Sequence, residues 1–154
     1  MTTEKIAVKS EEIIFYIDLL TEFIKKKHLL KGIKNFIEQK SKFTLPSSYG
    51  IVMFQGRQNP INVYNKSDYK SIEAVLEDSW GTREITKSFF ENGIFEILSY
   101  IFGEAKSGKN KNYRIIIISD TPSSRSEDYS TAVYDLIVKS KSFSTSIDVI
   151  RVGK

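Results

Sequence analysis

The side chains with chemical reach in this chain are oxygen donors and one imidazole. His28 is the only histidine and cysteine is absent. A Ser-His-Asp triad therefore has one base to use, and a thiol nucleophile, disulfide framework or zinc ribbon has no residue to start from. His28 stands beside Lys25-Lys26-Lys27 within a helical pattern, far along the chain from any serine on an exposed elbow, so a surface or half-buried place is expected for it. The stretch Gly103-Glu104-Ala105-Lys106-Ser107-Gly108-Lys109-Asn110 has phosphate-loop spacing up to its last position, where Asn110 replaces the hydroxyl residue that would ligate Mg²⁺. Its setting is also reversed. It follows a helix and precedes a strand, whereas phosphate-binding amides come from a loop that leaves a strand and opens a helix. Glu127 and Asp128 share a loop region with Asp120, next to a helix start with Ser126 as its cap, where carboxylates commonly serve the helix. Asp18 and Asp120 differ, because each closes an apolar run that reads as a strand. No nucleophile, base and oxyanion donor can be assembled from these residues, so a non-enzymatic chain is expected.

The 154 residues fit one domain, and 40% hydrophobic with 27% charged residues is the composition of a globular protein. No run approaches the ~18 apolar residues that span a bilayer. Met1-Thr2-Thr3-Glu4-Lys5 lacks the layout of a signal peptide. With the absence of cysteine, these features lead to the expectation of a cytoplasmic protein with no membrane partner. The net charge of +4 comes from scattered lysines. Arginine stands only at 57, 83, 114, 125 and 151, without the clustered arginines and aromatics of a nucleic-acid reader, so a solvated basic surface is the reading.

The positions of the candidate groups follow from the pattern around them. Ile13–Ile17, Tyr49–Gln55 and Ile115–Ile118 are unbroken apolar runs, as expected of parallel strands covered on both faces. Residues 146–152 alternate and suit a strand nearer an edge. Leu20, Phe23, Ile24, Leu30, Ile33 and Ile37 have helical spacing, and so do residues of about 67–78. Phe90, Ile94, Ile97, Leu98 and Ile101 do too, in a helix expected to end near Gly103. A further helix is expected on Tyr129, Ala132, Val133, Leu136 and Ile137. Pro60–Tyr64 follows the second strand too closely for a crossover and is expected to pair with it as an antiparallel edge strand. The order is β-α-β-β-α-α-β-α-β, with residues 1–10 a flexible tail and Gly103–Asn112 a polar loop. Trp80 is expected in the core rather than as a partner anchor.

An α/β chain with a hairpin inserted after its second strand resembles the von Willebrand factor A (vWA) domain over roughly residues 11 to 152. The resemblance implies a doubly wound, mostly parallel sheet of about five strands, order 3-2-1-4-5 with the third antiparallel, and helices on both faces. Tyr16-Ile17-Asp18 resembles the strand end that opens the family's Asp-x-Ser-x-Ser motif. Ile118-Ser119-Asp120-Thr121 resembles the strand and aspartate that close the same site. Asn92-Gly93-Ile94 resembles its Thr-Gly step. Tyr49–Phe54, Asn92-Gly93-Ile94 and Ile147–Ile150 are similar to intracellular members, among them the vWA domain of the proteasomal ubiquitin-receptor subunit.

The family's adhesion site holds Mg²⁺ through strand-end oxygens. The resemblance carries its two aspartates onto Asp18 and Asp120, at the switch point where α/β sheets bind ligands. Leu20 and Glu22 stand at the two serine positions and Asn92 at the threonine. Leu20 has no oxygen to give, so the site is expected to be degenerate, with no cofactor. Asp18, Glu22 and Asp120 are the ligands if Mg²⁺ does bind; otherwise the two aspartates cap helices. The resemblance implies a scaffold binding another protein within a multi-subunit complex, through a crest containing Asp18, Arg57, Arg83, Asn92, Asp120 and Arg125. Strand 146–152, as an edge, is a second candidate surface for homodimerisation or strand addition.

Overall fold

The computed structural model describes residues 10–19, 25–42, 47–53, 61–80, 90–108, 111–119, 134, 138 and 145–151. Its elements are β1 (Ser10–Asp18), α1 (Lys26–Lys40), β2 (Ser47–Met53), β3 (Ile61–Lys66), α2 (Tyr69–Trp80), α3 (Phe90–Lys106), β4 (Lys111–Ser119) and β5 (Thr145–Arg151). The five strands form one sheet in the order β3-β2-β1-β4-β5. β1 pairs in parallel with β2 and β4, β4 in parallel with β5, and β3 antiparallel with β2. The fold class expected from the sequence, including the antiparallel third strand, is the one observed.

Strands buried on both faces account for the apolar runs. On β1, Ile13, Phe15, Ile17 and the following Leu19 join a core with Leu29, Leu30, Ile33 and Ile37 of α1 and Ile72 and Leu76 of α2. Ile14 and Tyr16 face the other way, into a second core with Ile94, Ile97, Leu98 and Ile101 of α3. The alternation of side chains along a strand separates these two sets. It also decides which polar residues of β1 meet α3: Glu12 and Asp18 stand at the two ends of the Ile14–Tyr16 row.

Several boundaries differ from those expected. β1 begins at Ser10, inside the expected tail, because Ser10 pairs with Lys111. α3 continues past Gly103 to Lys106, and β4 starts at Lys111, which leaves little of the expected 103–112 loop. The chain turns away two residues past the helix end at Gly108, whose φ of +84° is the left-handed conformation common just after a helix C-terminus. The phosphate-loop-like stretch therefore begins inside a helix. His28 is in the first turn of α1 and exposed, not mid-helix. β3 carries a bulge between its pairs with Tyr49 and Ile51, with Asn65 at φ 57°. Gly50 faces that bulge: a Cβ there would lie 2.9 Å from the Val63 carbonyl oxygen. The expected helix on 129–137 falls mostly outside the described residues, although Tyr134 and Val138 are helical and exposed. Pro60 also lies outside them, as do residues 1–9 of the expected tail. The side chain of Trp80 is not among those described.

Candidate functional site

Among the described residues, three polar side chains are buried: Glu12, Asp18 and Ser119. Two of them meet at the carboxyl end of the sheet. Asp18 and Ser119 are the last residues of β1 and β4 and stand opposite each other in register. Asp18 is 6% exposed and Ser119 1%. The Ser119 hydroxyl donates to Asp18 Oδ2 at 2.7 Å. Both side chains belong to the face that looks at α3, since Tyr16 precedes Asp18 by two residues and Ile117 precedes Ser119 by two.

The first turn of α3 comes down onto the same place. A Cβ on Gly93 would lie 2.1 Å from Cζ and 2.2 Å from the hydroxyl oxygen of Tyr16. The bare backbone of Gly93 therefore rests against the Tyr16 ring, two residues below Asp18. This contact sets Gly93 beside the end of β1. Asn92 is in the first turn of α3, and its side chain lies outside those described. Glu22, Arg57, Arg83, Asp120 and Arg125 lie outside the described residues, as does Leu20.

The chemistry open to this corner is that of hard oxygen donors. A carboxylate and a hydroxyl face each other at the switch point of the sheet, beside a helix N-terminus whose dipole favours negative charge. Magnesium takes about six oxygens in near-octahedral array. Asp18 and Ser119 alone do not make that set. No group of three or more His, Asp or Glu residues that could hold a metal occurs among the described residues. Ser119 is the contributor that sequence reasoning left without a role. Its signal was its position: the last residue of an apolar run, immediately before the aspartate the resemblance singled out.

Glu12 was missed as well. It is the residue before Ile13, at the opposite end of the row that Asp18 closes, and it accepts from the Asn65 backbone N–H at 3.0 Å, the Tyr100 hydroxyl at 2.6 Å and the Lys111 ammonium at 3.3 Å.

No protein-family model matches the chain, and no curated protein matches it. Solved structures do. The conserved hypothetical protein BatB from Bacteroides thetaiotaomicron is similar over 94% of this chain and 67% of its own, at 17% identity and a TM-score of 0.61. Proximal thread matrix protein 1 from the mussel byssus is similar over 96% of this chain and 38% of its own, at 20% identity and a TM-score of 0.63. The pilus adhesin SpaC from Lactobacillus rhamnosus GG, in an open conformation, matches 74% of this chain at 16% identity and a TM-score of 0.56; this chain spans 15% of its length. The narrower likeness to the proteasomal ubiquitin-receptor subunit gains no support from these structures. No helix among the described residues is long and apolar enough to cross a membrane. With strand order β3-β2-β1-β4-β5 and one antiparallel edge strand, the fold is vWA-like.

Proposed function

We propose that this chain is a non-enzymatic protein–protein interaction domain of vWA type with a degenerate metal-ion-dependent adhesion site. The observation that carries this reading is the Asp18–Ser119 pair. The aspartate that would open the site is buried and bonded to its neighbour strand. Leu20 stands where the next ligand is required. The crest then binds through its protein surface, with Arg57, Arg83 and Arg125 as its cationic groups. Two of the similar structures are named as an adhesin and a thread matrix protein, which is in keeping with a binding role. The partner is another protein within an assembly, and the β5 edge offers a second contact, to another copy or to an added strand.

The competing reading is a divalent-cation-dependent ligand site formed by Asp18, Glu22 and Asp120. It is favoured by the meeting of two hard oxygens, from Asp18 and Ser119, at the strand ends. Isothermal titration with Mg²⁺ and Mn²⁺ separates the two. Absence of heat at millimolar metal supports the degenerate site, and saturable heat abolished by Asp18→Asn overturns it. The interaction role is tested by co-purification from native lysate. A stoichiometric partner retained by the wild type should be lost from the folded Arg57→Glu/Arg125→Glu variant.

A further inference from the structure

α3 carries two apolar stripes. Ile94, Ile97, Leu98 and Ile101 are buried against the sheet. On the side turned away from it, Phe95 is 59% exposed and Phe102 49%. A helix laid on a sheet needs one apolar stripe, so the fold does not account for the second. Both rings also touch groups of their own chain, with Lys106 Nζ 5.4 Å from the centre of the Phe102 ring, and it is their open sides that a partner meets. At about 100° per residue, Phe95, Ser99, Phe102 and Lys106 fall within about 60° of one another around the helix, and position 91 joins them one turn before Phe95. Ser99 and Lys106 are exposed as well. From Phe95 to Lys106 the intervals are four, three and four residues, the alternation of a seam between two helices.

The order of residues along the stripe points to its occupant. From the N-terminal end it reads acid, aromatic, small, aromatic, base: Glu91, Phe95, Ser99, Phe102, Lys106. A second copy running the other way answers it position by position. Phe95 then faces Phe102, Phe102 faces Phe95, and the acidic position four residues outside Phe95 faces Lys106, four residues outside Phe102. Ser99 stands near the centre, where a small side chain lets two helices approach closely. We propose that α3 is a self-association face, on which two copies of this chain pair through antiparallel α3 helices about a two-fold axis beside Ser99. Such a contact uses one patch twice and closes at two subunits. Parallel pairing sets like charges against each other, and an anionic membrane repels the acidic end. Gly93 lies near the carboxyl end of β1 and Tyr100 is bonded to Glu12 at its start, so α3 runs antiparallel to β1. Antiparallel pairing therefore points the crests of the two copies in opposite directions. On the crest reading proposed above, the pair is bivalent, with a binding end at each extremity.

The test is equilibrium sedimentation of the whole chain, with no partner present, from micromolar to near-millimolar concentration. Its outcome is independent of what the crest binds. One helix face per copy is small for a specific interface, so the wild type should be a dimer that dissociates on dilution. Phe95→Lys/Phe102→Lys should keep the wild-type circular dichroism and stay monomeric. Glu91→Lys and Lys106→Glu should each weaken the dimer severalfold, and the two together should restore it, a recovery that the antiparallel register demands. These reversals need no change at either phenylalanine, so a Phe95→Lys/Phe102→Lys chain that fails to fold does not leave the question open. A wild type monomeric throughout, or no recovery in the double reversal, overturns the proposal. So does a dimer that persists in Phe95→Lys/Phe102→Lys but is lost in Val149→Lys/Ile150→Lys, which places self-association at the β5 edge.

Discussion

Ser119 donates to Asp18 Oδ2 across 2.7 Å, joining the last residues of two neighbouring parallel strands by their side chains as well as their backbones. The bond satisfies part of a carboxylate that is nearly out of reach of water. Replacing Ser119 with Ala removes a donor to a buried charge and should cost about 1–3 kcal/mol. The cost should appear as a lower urea midpoint with an unchanged slope. Ser119→Thr keeps the hydroxyl and should recover most of it.

The backbone of α3 at Gly93 lies directly against the Tyr16 ring of β1. Gly93→Ala drives a methyl into the buried ring and should destabilise by about 3 kcal/mol, the upper part of the usual overpacking range. Thermal unfolding measures the loss. Adding Tyr16→Leu to Gly93→Ala should return part of it, because the ring is the obstacle. A double variant no more stable than Gly93→Ala would place the strain elsewhere.

Asn65 sits at φ 57° in the β3 bulge and offers its amide to Glu12. Asn65→Gly should be close to neutral, while Asn65→Val should cost about 1–2 kcal/mol for forcing a branched side chain into the left-handed region. Equal stability of the two variants, measured by urea unfolding, would contradict this.

Asp68 caps α2, taking the Ser71 amide at 3.0 Å and the Ser71 hydroxyl at 2.9 Å. These bonds hold its carboxyl below its ordinary range. A carboxyl depressed in the folded state stabilises above its unfolded value, and that contribution fades as pH falls through the folded one. The Tm difference between wild type and Asp68→Ala should therefore be present at about pH 6 and shrink towards about pH 3.

β5 lies at one edge of the sheet, with Val149 45% and Ile150 48% exposed. If this edge pairs with a second copy, light scattering should show a concentration-dependent dimer, and Val149→Lys/Ile150→Lys should return it to monomer. A monomer at every concentration in the wild type would remove self-pairing from consideration.

The sheet was largely legible because its central strands are apolar without interruption, a pattern that two-sided burial produces and few other settings do. Short spacing after Gln55 was enough to expect the antiparallel β3. Helix ends were less legible. Gly103 and Gly108 are both glycines after an apolar stripe, and only the backbone dihedral shows that the turn out of α3 is made at Gly108. At the crest, Asp18 was visible through family resemblance, whereas Ser119 acquires a role only once β1 and β4 are placed in register. The Glu12 network was invisible for a stronger reason. Its members are separated by 53, 88 and 99 positions in sequence, and nothing local marks them as neighbours.

The two carboxylates on β1 also bear on how the chain avoids folding wrongly. Ile13–Ile17 is apolar on both faces, and so is Ile115–Ile118, so hydrophobicity alone barely distinguishes the native alignment of these strands from one shifted by a single residue. Such a shift would turn Glu12 and Asp18 towards Leu30 and Ile33, away from Tyr100, Lys111 and Ser119. Two charges would then be buried without partners, a far larger penalty than the loss of any one apolar contact. Glu12 and Asp18 thus act as a key at each end of the strand: the isoleucines supply adhesion in any alignment, and the carboxylates admit only one.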